Sequence, residues 1–98
     1  MIREGIKMKV ENIKNDKGNI VANQFIIYGD DKITFQSYDS EVCYEKNGKL
    51  YLKGDVWDYS VTTRRHFKTF INDKTPFTYE NKQQWLKEIE NNEKIEVA

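Results

Sequence analysis

The residues best suited to chemistry lie close together, in the segment from Trp57 to residue 71. Arg64 and Arg65 are two of the three arginines, His66 is the only histidine, and Lys68 follows on the same segment. A guanidinium presents paired N–H donors that suit phosphate or carboxylate, and free N–H groups at a helix start also favour anions. The segment therefore predicts an anion or nucleic-acid site, set against the simpler interpretation of a solvated helix face.

Catalysis and metal binding have little support in the residue types. The chain has one histidine and one cysteine, and the acidic residues available to join His66 as metal ligands show no ligand spacing: Asp39, Glu41, Asp55 and Asp58. Cys43 is expected to be buried, which argues against a cysteine nucleophile with His66 as its base. We expect no catalytic residue, no cofactor and no bound metal.

Aromatic residues offer a second kind of site. Tyr44 and Tyr51 are predicted to face each other across two strands, and Trp57, Tyr38 and Tyr59 can extend the same surface. Such a surface can stack nucleic-acid bases or anchor a protein partner. The alternative is that helices cover these rings and make them core.

The first half of the chain carries strand patterns. Ile6, Met8 and Val10 alternate with polar residues, which predicts strand one. Residues 20–28 and the run Ile33-Thr34-Phe35 form a predicted hairpin around Gly29-Asp30-Asp31. A three-residue loop, which we prefer, pairs residue 25 with 35 and 27 with 33, whereas a two-residue loop pairs Ile26 with Phe35.

Asn47-Gly48 is the strongest turn signal, because both residues tolerate the positive φ angles of a type I′ turn. It predicts a hairpin over residues 41–53. Tyr44 then faces Tyr51 on one side of the sheet, and Cys43 faces Leu52 on the other.

The spacing of apolar residues changes to a helical period after Gly54. It predicts helices over residues 61–72, capped by Ser60 or Thr62, and 79–92, capped by Thr78 with Trp85, Leu86 and Ile89 buried. A short strand over residues 94–97 is an option. The predicted fold is α+β, with one antiparallel sheet over residues 6–53 and both helices on one face. The expected core is Met8, Val10, Phe25, Ile27, Phe35, Leu52, Phe67, Phe70, Trp85 and Ile89.

Composition limits the class of protein. Ninety-eight residues make one domain, and 16 basic against 16 acidic residues argue against a generally basic nucleic-acid binder. The single cysteine favours a reducing cytoplasm, and no apolar run has the length of a signal peptide or a membrane span. We expect a cytoplasmic protein with no membrane partner.

Three blocks of the sequence resemble a family of small uncharacterised proteins encoded by bacteriophages and mobile elements. They are Val21-Ala22-Asn23-Gln24-Phe25-Ile26-Ile27, Phe35-Gln36-Ser37-Tyr38-Asp39-Ser40, and Trp57-Asp58-Tyr59-Ser60 with Thr62-Thr63 and Phe70-Ile71. In that family a Gly-Lys-Tyr-Arg-Asn run usually follows the two threonines, whereas this chain has Arg64-Arg65-His66-Phe67-Lys68. The resemblance implies an origin in a phage or mobile element and no established activity.

Small phage proteins of this kind often act by occupying a surface of a host machine. The first hypothesis is therefore a host-takeover protein that inhibits a host defence system, such as a CRISPR nuclease, inside the bacterial cell. The second is nucleic-acid binding through the basic helix at 61–72, and the third is an enzyme. The predicted binding residues are Tyr44, Tyr51, Trp57, Arg64, Arg65, His66 and Lys68.

Overall fold

The computed structural model describes residues 9–98, which form a six-stranded sheet and two α-helices. The strands are β1 (Lys9–Lys14), β2 (Ile20–Tyr28), β3 (Ile33–Ser37), β4 (Ser40–Lys46), β5 (Lys49–Leu52) and β6 (Ile95–Val97). A short 3₁₀ helix, Val56–Asp58, precedes α1 (Val61–Lys74) and α2 (Lys82–Asn91). The strands lie in chain order across the sheet, and each neighbouring pair from β1 to β5 is antiparallel.

The α+β fold is confirmed, with one correction to the sheet. It extends beyond residues 6–53, because β6 pairs with β5, and this pair is parallel. The predicted strand residues Ile6 and Met8 lie outside the described residues. Among those described, no helix is long and apolar enough to cross a membrane.

The β2–β3 hairpin has the register of the shorter loop. Ile26 lies opposite Phe35, so the preferred pairing of residue 25 with 35 is wrong. The physical reason is that the Gly29 N–H donates to the Lys32 carbonyl at 2.9 Å, which leaves only residues 30 and 31 as the loop. Because the register shifts by one residue, the side chain of Ile26 points into the core, and Phe25 and Ile27 are half-buried on the other face.

The β4–β5 hairpin follows the prediction. Asn47 and Gly48 have φ angles of 54° and 83°, as the turn requires. Tyr44 pairs with Tyr51, and the buried Cys43 pairs with Leu52.

The strand registers define two faces of the sheet. The row Ile26, Phe35, Cys43 and Leu52 faces the helices, and Phe70 of α1 stacks on Phe35 with ring centroids 5.7 Å apart. We call the opposite side, with the row Val10, Ile27, Thr34, Tyr44, Tyr51 and Glu96, the open face. Val10 is 57% exposed there and is not a core residue; Ile13 fills that role in β1.

One core joins the sheet to both helices. Trp85 of α2 packs against Phe67 of α1 at 5.6 Å between ring centroids. Of the predicted core, Phe35, Leu52, Phe67, Phe70 and Trp85 are fully buried, and Ile89 is half-buried against them. The core also contains residues outside the predicted list: Ile13, Ile26, Val42, Leu50, Trp57, Ile71, Tyr79 and Ile95.

Helix α1 begins where the sequence predicts. The Thr63 backbone N–H donates to the Ser60 hydroxyl at 3.0 Å, so Ser60 is the N-cap. The helix ends two residues later than predicted, at Lys74.

Helix α2 begins three residues later than predicted, and Asn81 rather than Thr78 is its cap. The reason lies in α1: the Asn72 side chain accepts from the Tyr79 N–H at 2.8 Å and donates to the Tyr79 carbonyl at 3.0 Å. These two bonds hold Tyr79 in non-helical backbone. Leu86 is exposed and not buried as predicted, because it lies about 100° around the helix from the buried Trp85.

Candidate functional site

Tyr44 and Tyr51 lie together on the open face. Their rings stack with centroids 4.7 Å apart, and the Lys32 ammonium lies 4.4 Å from the Tyr44 centroid. Because Tyr51 occupies one side of the Tyr44 ring, Lys32 covers the other side. Lys49 approaches the Tyr51 ring at 5.5 Å. With lysines over both tyrosine rings, the ring edges remain available to a partner, but little of either ring face is free to stack on a nucleic-acid base.

Trp57 does not join that surface. Its side chain is 4% exposed and lies in the core, 5.6 Å from the Phe67 ring and 6.4 Å from the Tyr79 ring. This corrects the expectation of a surface anchor, because the 3₁₀ helix turns Trp57 inward beneath α1.

The predicted basic cluster separates into two groups. Arg64 is ion-paired with Asp58, which also pairs with Lys82 at 2.9 Å, and these contacts, Lys82 first, lower the pKa of the Asp58 carboxyl. Lys68 donates to the Glu80 carbonyl at 3.2 Å. Lys68 therefore ties α1 to the segment leading into α2, whereas Arg64 ties α1 to the preceding 3₁₀ helix, whose Asp58 also contacts the first residue of α2.

Arg65 and His66 instead face the β1–β2 turn. With that turn they line a cavity of about 460 Å³, here named the basic cavity, whose lining is Lys14, Asn15, Asp16, Lys17, Asn19, Arg65, His66 and Thr69. The structure thus brings together two of the four predicted basic residues and adds two lysines from a distant part of the sequence.

A larger cavity, of about 660 Å³, opens between the β3–β4 turn and the start of α1. We name it the tyrosine cavity; it is lined by Ser37, Tyr38, Asp39, Ser40, Val56, Tyr59, Ser60, Thr62 and Thr63. Tyr38 and Tyr59, which were expected to extend the Tyr44–Tyr51 surface, lie here instead, and the other lining residues were not predicted to bind a partner. The signal that can find them is the set of blocks carrying the resemblance, since all but Val56 belong to two of those blocks.

Two exposed tyrosines flank the tyrosine cavity. Tyr38 is 60% exposed and Tyr59 is 84% exposed. Tyr38 has a φ of 56°, which is sparsely populated for a bulky residue. Its N–H donates to the Asn23 carbonyl at 2.6 Å, and the Gln36 amide donates to its carbonyl at 2.7 Å. The surrounding backbone therefore holds Tyr38 in a conformation that projects its ring outward.

The charge in the tyrosine cavity comes from Asp39. Within residues 9–98 its carboxylate has no ion-pair partner, and it is the one charged side chain among the lining residues. The Ser60 and Thr63 hydroxyls are bonded to each other at 3.1 Å and complete a polar wall. The cavity combines hydrogen-bonding groups with exposed aromatic rings.

In the part of the chain that the structure describes, no group of three His, Cys, Asp or Glu residues is placed to hold a metal. Cys43 is fully buried, and burial followed by the charge of Glu41 raises the pKa of its thiol. A buried, protonated thiol is a poor nucleophile. Cys43 and His66 therefore offer no arrangement for nucleophilic catalysis.

Comparison with known proteins gives one match. The model of a family of unknown function, DUF8033, matches residues 8–90, which include the lining of both cavities. No curated protein and no solved structure matches the chain.

Proposed function

We propose that the chain, which belongs to the DUF8033 family of unknown function, binds a partner protein at the tyrosine cavity and acts without catalysis. The observation that carries the proposal is a cavity of about 660 Å³ flanked by the exposed rings of Tyr38 and Tyr59. Tyrosine is enriched at the centres of protein interfaces, where a pocket receives an anchor side chain of the partner.

Exposed apolar surface supports this location. Tyr38 and Tyr59 of the lining are exposed, and Val61, which lies in sequence between the lining residues Ser60 and Thr62, is 62% exposed. Exposed aromatic and apolar side chains beside a concave polar site are typical of an interaction surface. The Tyr44–Tyr51 pair on the open face has less free ring surface and remains a secondary candidate.

The charge of the cavity favours a basic anchor. Asp39 contributes a full negative charge, whereas the N-terminus of α1 contributes about half a positive charge. A Lys or Arg side chain of the partner would pair with Asp39 and contact the faces of the tyrosine rings. An acidic anchor would meet the unpaired carboxylate.

The finer form of the proposal is that the partner belongs to a host defence system, such as a CRISPR nuclease in the bacterial cytoplasm. Its support is the resemblance to small phage and mobile-element proteins, together with the balanced charge of the chain. An enzymatic role ranks lower, because the described residues present no paired nucleophile and base.

The test compares partner capture by the native chain with capture by a Tyr38→Asn, Tyr59→Ala double variant. Asparagine tolerates positive φ, so the turn is preserved while both rings are removed. Loss of two interface tyrosines should weaken binding of the purified partner by at least about tenfold, or about 1.4 kcal/mol. Isothermal titration calorimetry measures this change.

The matched control is Ile20→Ala, which removes an equally exposed apolar side chain away from the cavity. A partner bound equally well by the double variant and the native chain would place its binding site elsewhere. For the finer proposal, the native chain and Ile20→Ala should inhibit DNA cleavage by the captured nuclease, and the double variant should not. Full cleavage in the presence of the native chain contradicts a nuclease inhibitor.

A further inference from the structure

We infer that the basic cavity is a binding site for a phosphate group. Three cationic side chains, Lys14, Lys17 and Arg65, line it together with the imidazole of His66. Lys14 ends β1 and Lys17 lies in the β1–β2 turn, whereas Arg65 and His66 lie on α1, which is distant in sequence. One acidic side chain, Asp16, shares the lining, so the cavity has an excess of positive charge.

The cations are uncompensated by ion pairs. In the described range, residues 9–98, salt bridges involve Lys46, Lys49, Lys53, Arg64 and Lys82, and none involves Lys14, Lys17 or Arg65. The contrast with Arg64 is informative, because the neighbouring arginine is held by Asp58. The guanidinium of Arg65 keeps its donors available for two oxygens of one anion.

His66 provides the second, independent observation. Only 7% of the residue is exposed, yet its ring makes no hydrogen bond with any residue from 9 to 98. Among residues 9–98 the fully buried side-chain atoms without a partner are Gln24 Oε1 and Trp85 Nε1 and include no atom of His66, so its unpaired ring nitrogens keep some exposure in the cavity that His66 lines and are available to an anion there. An anion accepts a hydrogen bond from either ring nitrogen that carries a proton.

Hydrogen bonds hold the backbone of the turn that carries Lys17. The Asn15 carboxamide oxygen accepts from the Lys17 N–H at 2.9 Å and from the Asn19 N–H at 3.0 Å, and Gly18 adopts a φ of 80°. These bonds fix the backbone of the turn opposite Arg65. A preformed backbone lowers the entropic cost of binding.

The electrostatics of His66 make it a reporter of occupancy. Burial first, and the charge of Arg65 second, lower the pKa of its imidazole. The charged groups facing it are Arg65 on its own helix, Lys14 at the end of β1, and Asp16 and Lys17 on the turn. A bound phosphate stabilises the imidazolium, so it should raise this pKa toward its ordinary value.

The experiment titrates the protein with inorganic phosphate at pH 7 and follows the ring resonances of the only histidine by NMR. Sodium chloride at matched ionic strength is the reference. Phosphate should shift these resonances saturably and move the His66 titration to higher pH. Arg65→Gln should bind phosphate roughly tenfold more weakly, as expected for one charge-assisted hydrogen bond.

Two further variants test the direction of the change in phosphate affinity. Asp16→Asn removes the opposing carboxylate and should tighten phosphate binding, and Lys87→Gln removes an exposed lysine of α2 and should leave it unchanged. All of these positions are exposed, so the variants should fold. Phosphate shifts no larger than those from chloride, or equal affinity in Arg65→Gln and Lys87→Gln, would overturn the inference.

A second arm distinguishes the sources of the phosphate. A ten-nucleotide single-stranded DNA and pyrophosphate are titrated against the same variants. Arg65-dependent binding of DNA that is tighter than that of pyrophosphate assigns the site to a nucleic-acid backbone, and the reverse order assigns it to a small phosphorylated ligand. Absence of Arg65-dependent binding by inorganic phosphate, DNA and pyrophosphate rejects the site.

Discussion

Gln24 is a polar side chain in a nearly apolar setting. It is 1% exposed on the helix-facing side of β2, opposite Ser37, and its carboxamide oxygen has no hydrogen-bond partner among residues 9–98. A buried carbonyl without a partner costs about 1–3 kcal/mol. Gln24 therefore lowers the stability of the core that it helps to fill.

Replacing Gln24 by Met should raise the free energy of unfolding by about 1 kcal/mol, because the side chain keeps its length and loses the unpaired oxygen. Urea denaturation followed by circular dichroism measures the change. The matched control is Gln83→Met on the exposed surface of α2, which should be neutral. A lower stability for Gln24→Met would show that the amide has a favourable role in the native state.

Residue-scale contacts were only partly predictable from sequence. The two-residue Asn47-Gly48 turn fixes the parity of its hairpin, so the facing of Tyr44 to Tyr51 and the burial of Cys43 followed directly. The contacts of Arg64 and Lys68 could not be predicted from the sequence. Their partners, Asp58 and the Glu80 carbonyl, depend on how α1 packs against other segments. Periodicity places a side chain on a face without saying what lies opposite.

At the scale of elements, Asn72 organises the connection between the helices. Its side chain makes both a donor and an acceptor bond to the backbone of Tyr79. Local rules predicted a helix from residue 79 because Thr78 and Glu80 resemble a cap and a first turn. A contact across seven residues overrides that local preference and delays α2 to Lys82.

The variant Asn72→Ala should destabilise the protein by about 1–3 kcal/mol, since two hydrogen bonds to Tyr79 are lost together. Alanine has the higher helix propensity, so propensity alone predicts the opposite sign. Thermal denaturation checks the change. Asn91→Ala, another exposed helical position without a side-chain bond in the described residues, is the comparison and should be neutral or slightly stabilising. Equal stability of the two variants would remove Asn72 from this role.

At the scale of the whole molecule, β6 covers one edge of the sheet. The Leu50 N–H donates to the Lys94 carbonyl at 2.8 Å, the Ala98 N–H donates to the Leu52 carbonyl at 2.9 Å, and Ile95 is buried. The alternation of polar and apolar residues over 94–97 indicated a strand. It could not indicate that this strand pairs with β5 in parallel orientation. Strand order depends on the path of both helices across the sheet.

Deleting residues 94–98 should expose the edge of β5 and cause concentration-dependent self-association, because an uncovered strand edge pairs readily with another chain. Sedimentation velocity measures the association. Ile95→Ala is the control: it should lose at least about 2 kcal/mol of stability through the cavity it leaves, while its backbone still covers the edge. Association by both variants to the same extent would attribute the effect to lost stability instead.

The order of the strands also bears on how fast the chain finds its fold. From β1 to β5 each strand pairs with the next along the chain, so these loops close at small entropic cost. The pairing of residues 50–52 with residues 95–97 spans both helices and is the long-range closure of the described sheet. Low average contact order favours rapid folding. We expect the hairpins to form before β6 docks, because the pairing of β6 with β5 closes the longest segment of chain in the described sheet.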